Sequence, residues 1–125
     1  MEEIKTFQRI NFIKNWNNKL LNLCFSTIRP VSDSYIIGER FDIRIDERFY
    51  CYADLIDKVE LSLQEIINQK YHLLDSGLSE KDFYSMMEGF YSKKKWWKEK
   101  ETKMQLLFLK KFVQIDIFDV IENKI

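Results

Sequence analysis

The sequence predicts an α+β domain that combines a small, mostly antiparallel β-barrel or curled sheet with about three helices. Three observations support this fold class. Residues 41–46 alternate apolar and polar side chains with the period of two that is typical of a strand. Segments 63–74 and 80–92 repeat apolar residues at helical spacing, and residues 104–113 form an apolar run about as long as a buried strand.

The composition is that of one globular domain covering residues 1–125. Hydrophobic residues make up 46% and charged residues 32% of the 125-residue chain, which is typical of a folded protein. Twenty basic residues balance twenty acidic ones, so a uniformly cationic mode of nucleic-acid binding is excluded. Three Gly and one Pro leave little room for linkers.

The first quarter of the chain predicts a strand, a helix and a second strand. Residues 4–10 fit a short strand. Apolar side chains then recur at spacings of three and four, which predicts a helix over 12–23; they are Phe12, Ile13, Trp16, Leu20 and Leu23. Residues 25–29 are rich in β-branched side chains and are followed by Pro30, which is typical of a strand that ends at the proline.

The middle of the chain predicts a hairpin of unequal strands. The strand 40–46 is followed by a turn near 46–48 and by a second strand, 49–61, rich in aromatic and branched residues. Because this second strand is long, we expect a bend or bulge near Asp57 and Lys58.

Two helices then carry local start and stop signals. Ser62 and Glu65 form a capping box, Gly77 is a natural helix end, and Ser79 caps the second helix. We interpret the Met and aromatic stripe of the second helix as core and not as a cofactor site; it comprises Phe83, Met86, Met87, Phe90 and Tyr91. We expect the two helices to pack through Ile67, Leu74, Phe83, Met87 and Phe90.

Positive charge is concentrated in two segments. Residues 1–30 contain five basic and two acidic residues, and residues 93–103 contain six lysines and two glutamates. Within the second segment, Trp96 and Trp97 are adjacent to Lys93, Lys94 and Lys95. Aromatic faces that stack on unpaired bases beside lysines that contact phosphates would form an RNA-binding edge. Alternatively, the charges form a solvated face and one of the two Trp residues closes the barrel.

The cysteine and histidine content argues against metal and disulfide sites. Cys24 and Cys51 lie far apart in sequence and His72 is the single histidine, so we expect reduced thiols, no metal and no cofactor. His72 is interpreted as a surface or partly buried helix residue. No signal-peptide pattern and no membrane-spanning run is present, so the expected location is cytoplasmic.

One stretch resembles a known family, the ASCH domains of the PUA-like superfamily. It reads Asn18-Lys19-Leu20-Leu21-Asn22-Leu23-Cys24-Phe25-Ser26-Thr27-Ile28-Arg29, followed by Tyr35 and Gly38-Glu39. The family pattern is a helix, Gly-x-Lys-x-x-Thr-x-Arg, a strand, and a Gly-Asp pair. Residues 75–83 are similar to the family's acidic-Gly connection between helices. The resemblance covers about residues 4–112 and leaves 113–125 as a C-terminal extension.

The resemblance implies a small barrel with a ligand cleft beside the Thr-x-Arg strand. PUA-like barrels mostly bind RNA or modified nucleobases, and some ASCH proteins deacylate acylated cytidine with a lysine, a threonine and a glutamate. The family's threonine and arginine fall on Thr27 and Arg29, which share one strand face. The lysine position falls on Cys24, and Asp75 stands nearest to the glutamate.

The absence of a lysine at this position predicts little or no deacylase activity, because a neutral thiol neither activates a nucleophile nor stabilises negative charge. Cys24 would be a nucleophile only if Lys19 or Arg29 stabilised its thiolate, and otherwise is an inert thiol. Lys19 lies five residues before Cys24, and nothing in the spacing requires it to reach the cleft.

We therefore expect an RNA- or nucleotide-binding domain. The expected ligand contacts are the hydroxyls of Ser26 and Thr27, the guanidinium of Arg29, and the basic and aromatic side chains Lys19, Lys93, Lys94, Lys95, Trp96 and Trp97. The first alternative is a hydrolase of a modified nucleoside, with Thr27, Cys24 and Asp75 as candidate catalytic residues. The second is a protein-interaction or assembly module, for example in a phage, with a protein partner and no membrane contact.

Overall fold

The computed structural model describes residues 6–113, so the predicted element in 114–125 and the first two residues of the strand 4–10 lie outside it. The strands are β1 Gln8–Phe12, β2 Cys24–Pro30, β3 Arg40–Ile45, β4 Arg48–Ser62 and β5 Lys103–Lys111. The α-helices are α1 Leu63–Asn68, α2 Tyr71–Ser76 and α3 Glu80–Tyr91, and the 3₁₀ helices are Trp16–Leu21 and Glu99–Glu101.

All five described strands form one curled half-barrel sheet in the order β1-β3-β4-β5-β2. The pairings β2–β5, β3–β4 and β4–β5 are antiparallel, while β1 runs parallel to β3. The predicted α+β class with a small, mostly antiparallel curled sheet is thus confirmed. Within residues 6–113, no helix is long and apolar enough to cross a membrane.

The hairpin β3–β4 follows the predicted pattern closely. Asp46 and Glu47 form its turn with φ of 50° and 65°, values that short polar residues tolerate better than branched ones. The pairing of β4 with β5 shifts register between Leu55 and Asp57, which is a bulge of the kind expected in so long a strand.

Two apolar clusters pack against the sheet. The first is formed by the strands and the 3₁₀ turn and consists of Ile10, Phe12, Leu20, Phe25, Phe41, Ile43, Ala53, Leu55, Leu107 and Leu109. The second joins the sheet to the helices and consists of Ile28, Leu61, Leu63, Ile66, Ile67, Phe83, Met87, Met104 and Leu106. Strand β5 contributes to both clusters, which explains why its sequence is an almost continuous apolar run.

The segment 63–74, predicted to form one helix, forms the two helices α1 and α2. The capping box is present as expected, since the Ser62 hydroxyl accepts from the Glu65 amide and the Glu65 carboxylate accepts from the Ser62 amide, each at 3.1 Å. The chain then turns through Lys70, whose φ of 62° and ψ of 22° are left-handed and interrupt the helix. Leu74, expected in the core, is 69% exposed because this break rotates α2 relative to α1.

The helix predicted over 12–23 is also wrong in its bounds. Phe12 belongs to β1, and only Trp16–Leu21 is helical, with 3₁₀ geometry. Asn17 and Asn18 have φ of 56° and 53°, a left-handed conformation that asparagine tolerates better than most residues. The side-chain amide of Asn17 donates to the carbonyl oxygens of Leu73 and Leu74, so the turn is bound to the end of α2.

Candidate ligand-binding cleft

A cleft of about 290 Å³ lies where the two edge strands of the half-barrel approach each other. β1 and β2 contribute residues to its walls, and the 3₁₀ turn, α2 and α3 supply the rest. The Arg29 guanidinium on β2 donates through Nη2 to the backbone oxygen of Asn11 on β1 at 3.0 Å. A side chain therefore bridges the two edge strands, and polar groups of both line the cleft.

A buried ion pair forms one wall. Lys19 Nζ donates to Asp75 Oδ1 at 2.6 Å, and the two side chains are 6% and 8% exposed. The Ser26 hydroxyl donates to the same Asp75 oxygen at 3.3 Å. Three elements thus meet at this carboxylate: the 3₁₀ turn, β2 and α2.

Burial changes the proton affinity of both partners. It raises the pKa of Asp75, although Lys19, the Ser26 hydroxyl and Arg29 all favour the carboxylate. Burial also lowers the pKa of Lys19; Asp75 opposes this shift and the neighbouring charge of Arg29 adds to it. The two opposite shifts bring the proton affinities of Lys19 and Asp75 closer together than in an exposed salt bridge.

Arg29 is held in place by three contacts. Besides the bond to Asn11, its Nε donates to Thr27 Oγ1 at 3.1 Å, and its Cζ lies 4.9 Å from the centre of the Phe12 ring. Lys19 Nζ lies 5.0 Å from the centre of the same ring. Both cations are therefore placed around one aromatic side chain in the cleft wall.

Two polar atoms of this group remain open to a ligand. Within residues 6–113, Arg29 Nη1 and Asp75 Oδ2 make no hydrogen bond, and both residues line the cleft. Arg29 Nη1 is a donor and Asp75 Oδ2 is an acceptor when ionised. The cleft therefore offers both a donor and an acceptor.

The remaining walls are aromatic and apolar. They include Phe12, Trp16, Met86, Met87, Phe90 and Tyr91. The interpretation of the α3 stripe as core holds for Phe83 and Met87, which are buried, but is wrong for Phe90, which is 47% exposed. Phe90 lies on the face of α3 that turns from the core to the cleft.

Of the candidate catalytic residues, Thr27 and Asp75 line the cleft and Cys24 does not. Cys24 is the exposed first residue of β2, where the strand pairs with Lys110. The lysine that reaches the cleft is Lys19, which the left-handed residues Asn17 and Asn18 turn toward Asp75. The spacing of the family motif assigns its lysine to the position of Cys24, because sequence spacing carries no information about the left-handed turn.

His72 differs from its expected placement. It is 4% exposed, its ring lies 5.6 Å from that of Phe83, and its Nδ1 has no hydrogen-bond partner within the described residues. The cleft lining does not include it. His72 is thus a buried helix residue one turn before Ser76.

The basic segment after α3 divides into an exposed and a packed part. Lys93, Lys94 and Lys95 are exposed, and Trp96 is 41% exposed. Trp97 packs on the second cluster, with its ring 6.0 Å from Tyr84.

Trp96 connects the cleft to a second, larger groove. Its ring lies 5.5 Å from that of Tyr91, which lines the cleft. Trp96 also lines a groove of about 890 Å³ together with Lys98, Lys100 and Lys103. A ligand longer than the cleft could therefore continue across Trp96.

No group of three or more His, Cys, Asp or Glu side chains in residues 6–113 is placed to hold a metal ion. No family model, curated protein or solved structure matches this chain. The resemblance to ASCH domains therefore stays a prediction.

Proposed function

We propose that the cleft binds a nucleoside or nucleotide, either free or as an unpaired residue of RNA. The observation that carries the proposal is a donor and an acceptor without partners in residues 6–113, Arg29 Nη1 and Asp75 Oδ2, in one cleft walled by aromatic rings. A nucleobase has two apolar faces and an edge that both donates and accepts, so it matches the two kinds of wall.

The size of the cleft favours a small ligand. Its 290 Å³ lies at the lower end of the roughly 300–1,000 Å³ that is usual for ligand pockets. One nucleotide rather than a folded polymer fits such a volume. Further nucleotides of an RNA strand would lie on Trp96 and along the larger groove, where lysines contact phosphates.

Calorimetric titration of nucleoside monophosphates and short single-stranded RNA tests the proposal. Replacement of Arg29 by Gln is expected to weaken binding by about 1–3 kcal/mol, because a charged hydrogen bond to the ligand is lost. Arg44→Gln is the matched control. Arg44 is also a half-buried arginine that pairs with a residue of its own strand, Asp42, but it lies outside the cleft. Equal losses in the two variants would contradict the assignment of the cleft.

Salt dependence separates a free nucleotide from an RNA strand. If RNA extends across the basic segment, Lys93→Ala and Lys94→Ala each reduce the slope of log affinity against log salt by about one unit or less. If the ligand is a free nucleotide, the two variants bind as tightly as the native chain. Absence of binding to both kinds of ligand would overturn the proposal.

Deacylation of a modified nucleoside is the second candidate function, and the placement of Lys19 favours it. The expectation of weak activity depended on a cleft without a lysine, yet Lys19, Thr27 and Asp75 line the same cleft. In this reaction Lys19 would first pass a proton to Asp75; the Thr27 hydroxyl would then attack the acyl carbon and give its proton to Lys19, while Arg29 would stabilise the oxyanion. Lys19 would donate that proton to the nucleoside nitrogen as the C–N bond breaks, and water would hydrolyse the acyl ester on Thr27.

Turnover of acylated cytidine tests this second function. Thr27→Val is expected to abolish activity because it removes the hydroxyl and keeps the shape of the side chain. Cys24→Ser is expected to leave activity unchanged, because Cys24 is exposed and lies outside the cleft. No turnover by the native chain, together with nucleotide binding, would leave the binding function alone.

A further inference from the structure

Lys19 combines three features of a reactive amine. Its side chain is 6% exposed, its Nζ lies 2.6 Å from a carboxylate oxygen that can take a proton, and it shares the Phe12 ring with a second cation, Arg29. Desolvation and a neighbouring positive charge are the two usual means by which proteins activate a lysine as a nucleophile. Both also lower the pKa of Lys19 here.

We propose that Lys19 is the nucleophile of a carbonyl-binding site, and that the cleft takes an aldehyde or ketone that also carries an acidic group. The acidic group would bind Arg29, whose Nη1 is free of hydrogen bonds within residues 6–113. The separation of the two cations cannot exceed the sum of their distances to the Phe12 ring centre, 5.0 Å and 4.9 Å. This upper limit places both cations within reach of one small carbonyl acid.

The reaction is the formation of a Schiff base, and Asp75 moves every proton in it. Lys19 passes a proton to Asp75, and the free amine attacks the carbonyl carbon while the carbonyl oxygen takes that proton. The new C–N bond gives a carbinolamine after nitrogen returns a proton to Asp75. Asp75 then protonates the hydroxyl group, the C–O bond breaks, and water leaves. The product is a protonated imine on Lys19 with the Asp75 carboxylate as its counter-ion.

This activity does not require nucleotide binding, so its test is independent of the proposed function. The native chain is treated with glyoxylate and cyanoborohydride near neutral pH, and carboxymethylated lysines are located by peptide mass spectrometry. Lys58 is the internal control, because its Nζ also makes a 2.6 Å hydrogen bond, in this case to the Tyr35 carbonyl, and forms no ion pair with a carboxylate of residues 6–113. We expect Lys19 to be labelled severalfold faster than Lys58, because burial lowers the pKa of Lys19 and so raises its free-amine fraction.

Five variants separate the parts of the mechanism. Lys19→Arg keeps the charge and removes the adduct at this position, whereas Lys58→Arg leaves the Lys19 adduct unchanged. Asp75→Asn slows the labelling of Lys19, because the loss of the acid that dehydrates the carbinolamine outweighs the larger free-amine fraction. Ser26→Ala removes only a weaker contact to Asp75, and it should keep the Lys19 adduct because it keeps the Asp75 carboxyl group. Arg29→Gln slows labelling by glyoxylate more than labelling by neutral propanal, because it removes the contact to the acidic group as well as the neighbouring charge that activates Lys19.

Two results would overturn the proposal. Labelling of Lys19 no faster than Lys58 would show that the amine is not activated or not reachable from the cleft. Equal effects of Arg29→Gln on glyoxylate and on propanal would show that Arg29 does not bind the acidic group of the carbonyl compound.

Discussion

Lys19 and Asp75 depend on each other because both are almost completely buried. We expect Asp75→Asn to lower the free energy of unfolding by about 3–5 kcal/mol, since it leaves the Lys19 ammonium buried without a counter-ion. Urea unfolding at neutral pH measures this loss. The double variant Lys19→Met with Asp75→Asn should recover most of it, because it removes the uncompensated charge; a double variant as unstable as the single one would contradict this reasoning.

The lowered pKa of Lys19 gives the stability a distinct pH dependence. Between that lowered value and the ordinary value of 10.5, the folded chain binds fewer protons at this residue than the unfolded chain. The contribution of Lys19 to stability therefore increases with pH across this window and is at its lowest below it. The free energy of unfolding is measured at each pH for the native chain and for Lys19→Met, and the difference between the two should rise with pH over this window. A difference that falls over the window would be inconsistent with burial as the main cause of the lowered pKa.

The residues of the cleft were predictable to different degrees. The placement of Thr27 and Arg29 on one face follows from the alternation of side chains along a strand, and a hydrogen bond joins the two side chains in the structure. The proximity of Lys19 to Asp75 depends on two left-handed asparagines and on how α2 packs beside β2, neither of which leaves a periodic signal.

Gly77 joins α2 to α3 at a position where a side chain would be strained. Its φ is 72°, and a Cβ atom there would lie 3.1 Å from Asn17 Oδ1. We expect Gly77→Ala to destabilise the fold by about 1–3 kcal/mol. Gly89→Ala is the control, because Gly89 lies within α3 with open space around it, and it should stabilise the fold by roughly 0.5–1 kcal/mol. Thermal unfolding of both variants checks the opposite signs, and equal shifts would contradict the assignment of strain to Gly77.

The two adjacent tryptophans of the basic segment have different roles. Trp97 packs on the second apolar cluster, so Trp97→Ala should reduce stability by about 2 kcal/mol. Trp96 is 41% exposed, so Trp96→Ala should leave the melting temperature nearly unchanged and weaken only the binding of single-stranded RNA. Melting curves and RNA titrations of both variants measure the two effects, and a large loss of stability in Trp96→Ala would remove it as a ligand contact.

Prediction of the elements succeeded where the signal is local. The capping box at Ser62, the stop at Gly77 and the bulge in β4 are each encoded by a few neighbouring residues. The break at Lys70 was missed because lysine carries no preference for the left-handed conformation that it adopts there. Tertiary packing, and not the intrinsic preference of this residue, sets that turn.

The strand order of the whole sheet is less accessible from sequence than the strands themselves. Each strand can be recognised from its own side chains, but the parallel pairing of β1 with β3 and the pairing of β2 with β5 join distant segments. The cleft exists only in this order, because it lies between the two edge strands. The site is therefore a property of the topology as much as of its residues.

Strand β5 also determines when the domain can fold during synthesis. It is the last described strand and the strand with which β2 pairs. Ser26 of β2, for example, lies opposite Phe108 of β5. While β5 is still inside the ribosome, β2 has no strand partner and each apolar cluster lacks the residues that β5 contributes to it. We expect nascent chains stalled before Lys103 to be cleaved rapidly by protease, and chains extended well past Lys111 to become resistant. Folding of residues 6–113 would thus wait until β5 has emerged, and the earlier segments would be exposed to chaperones until then.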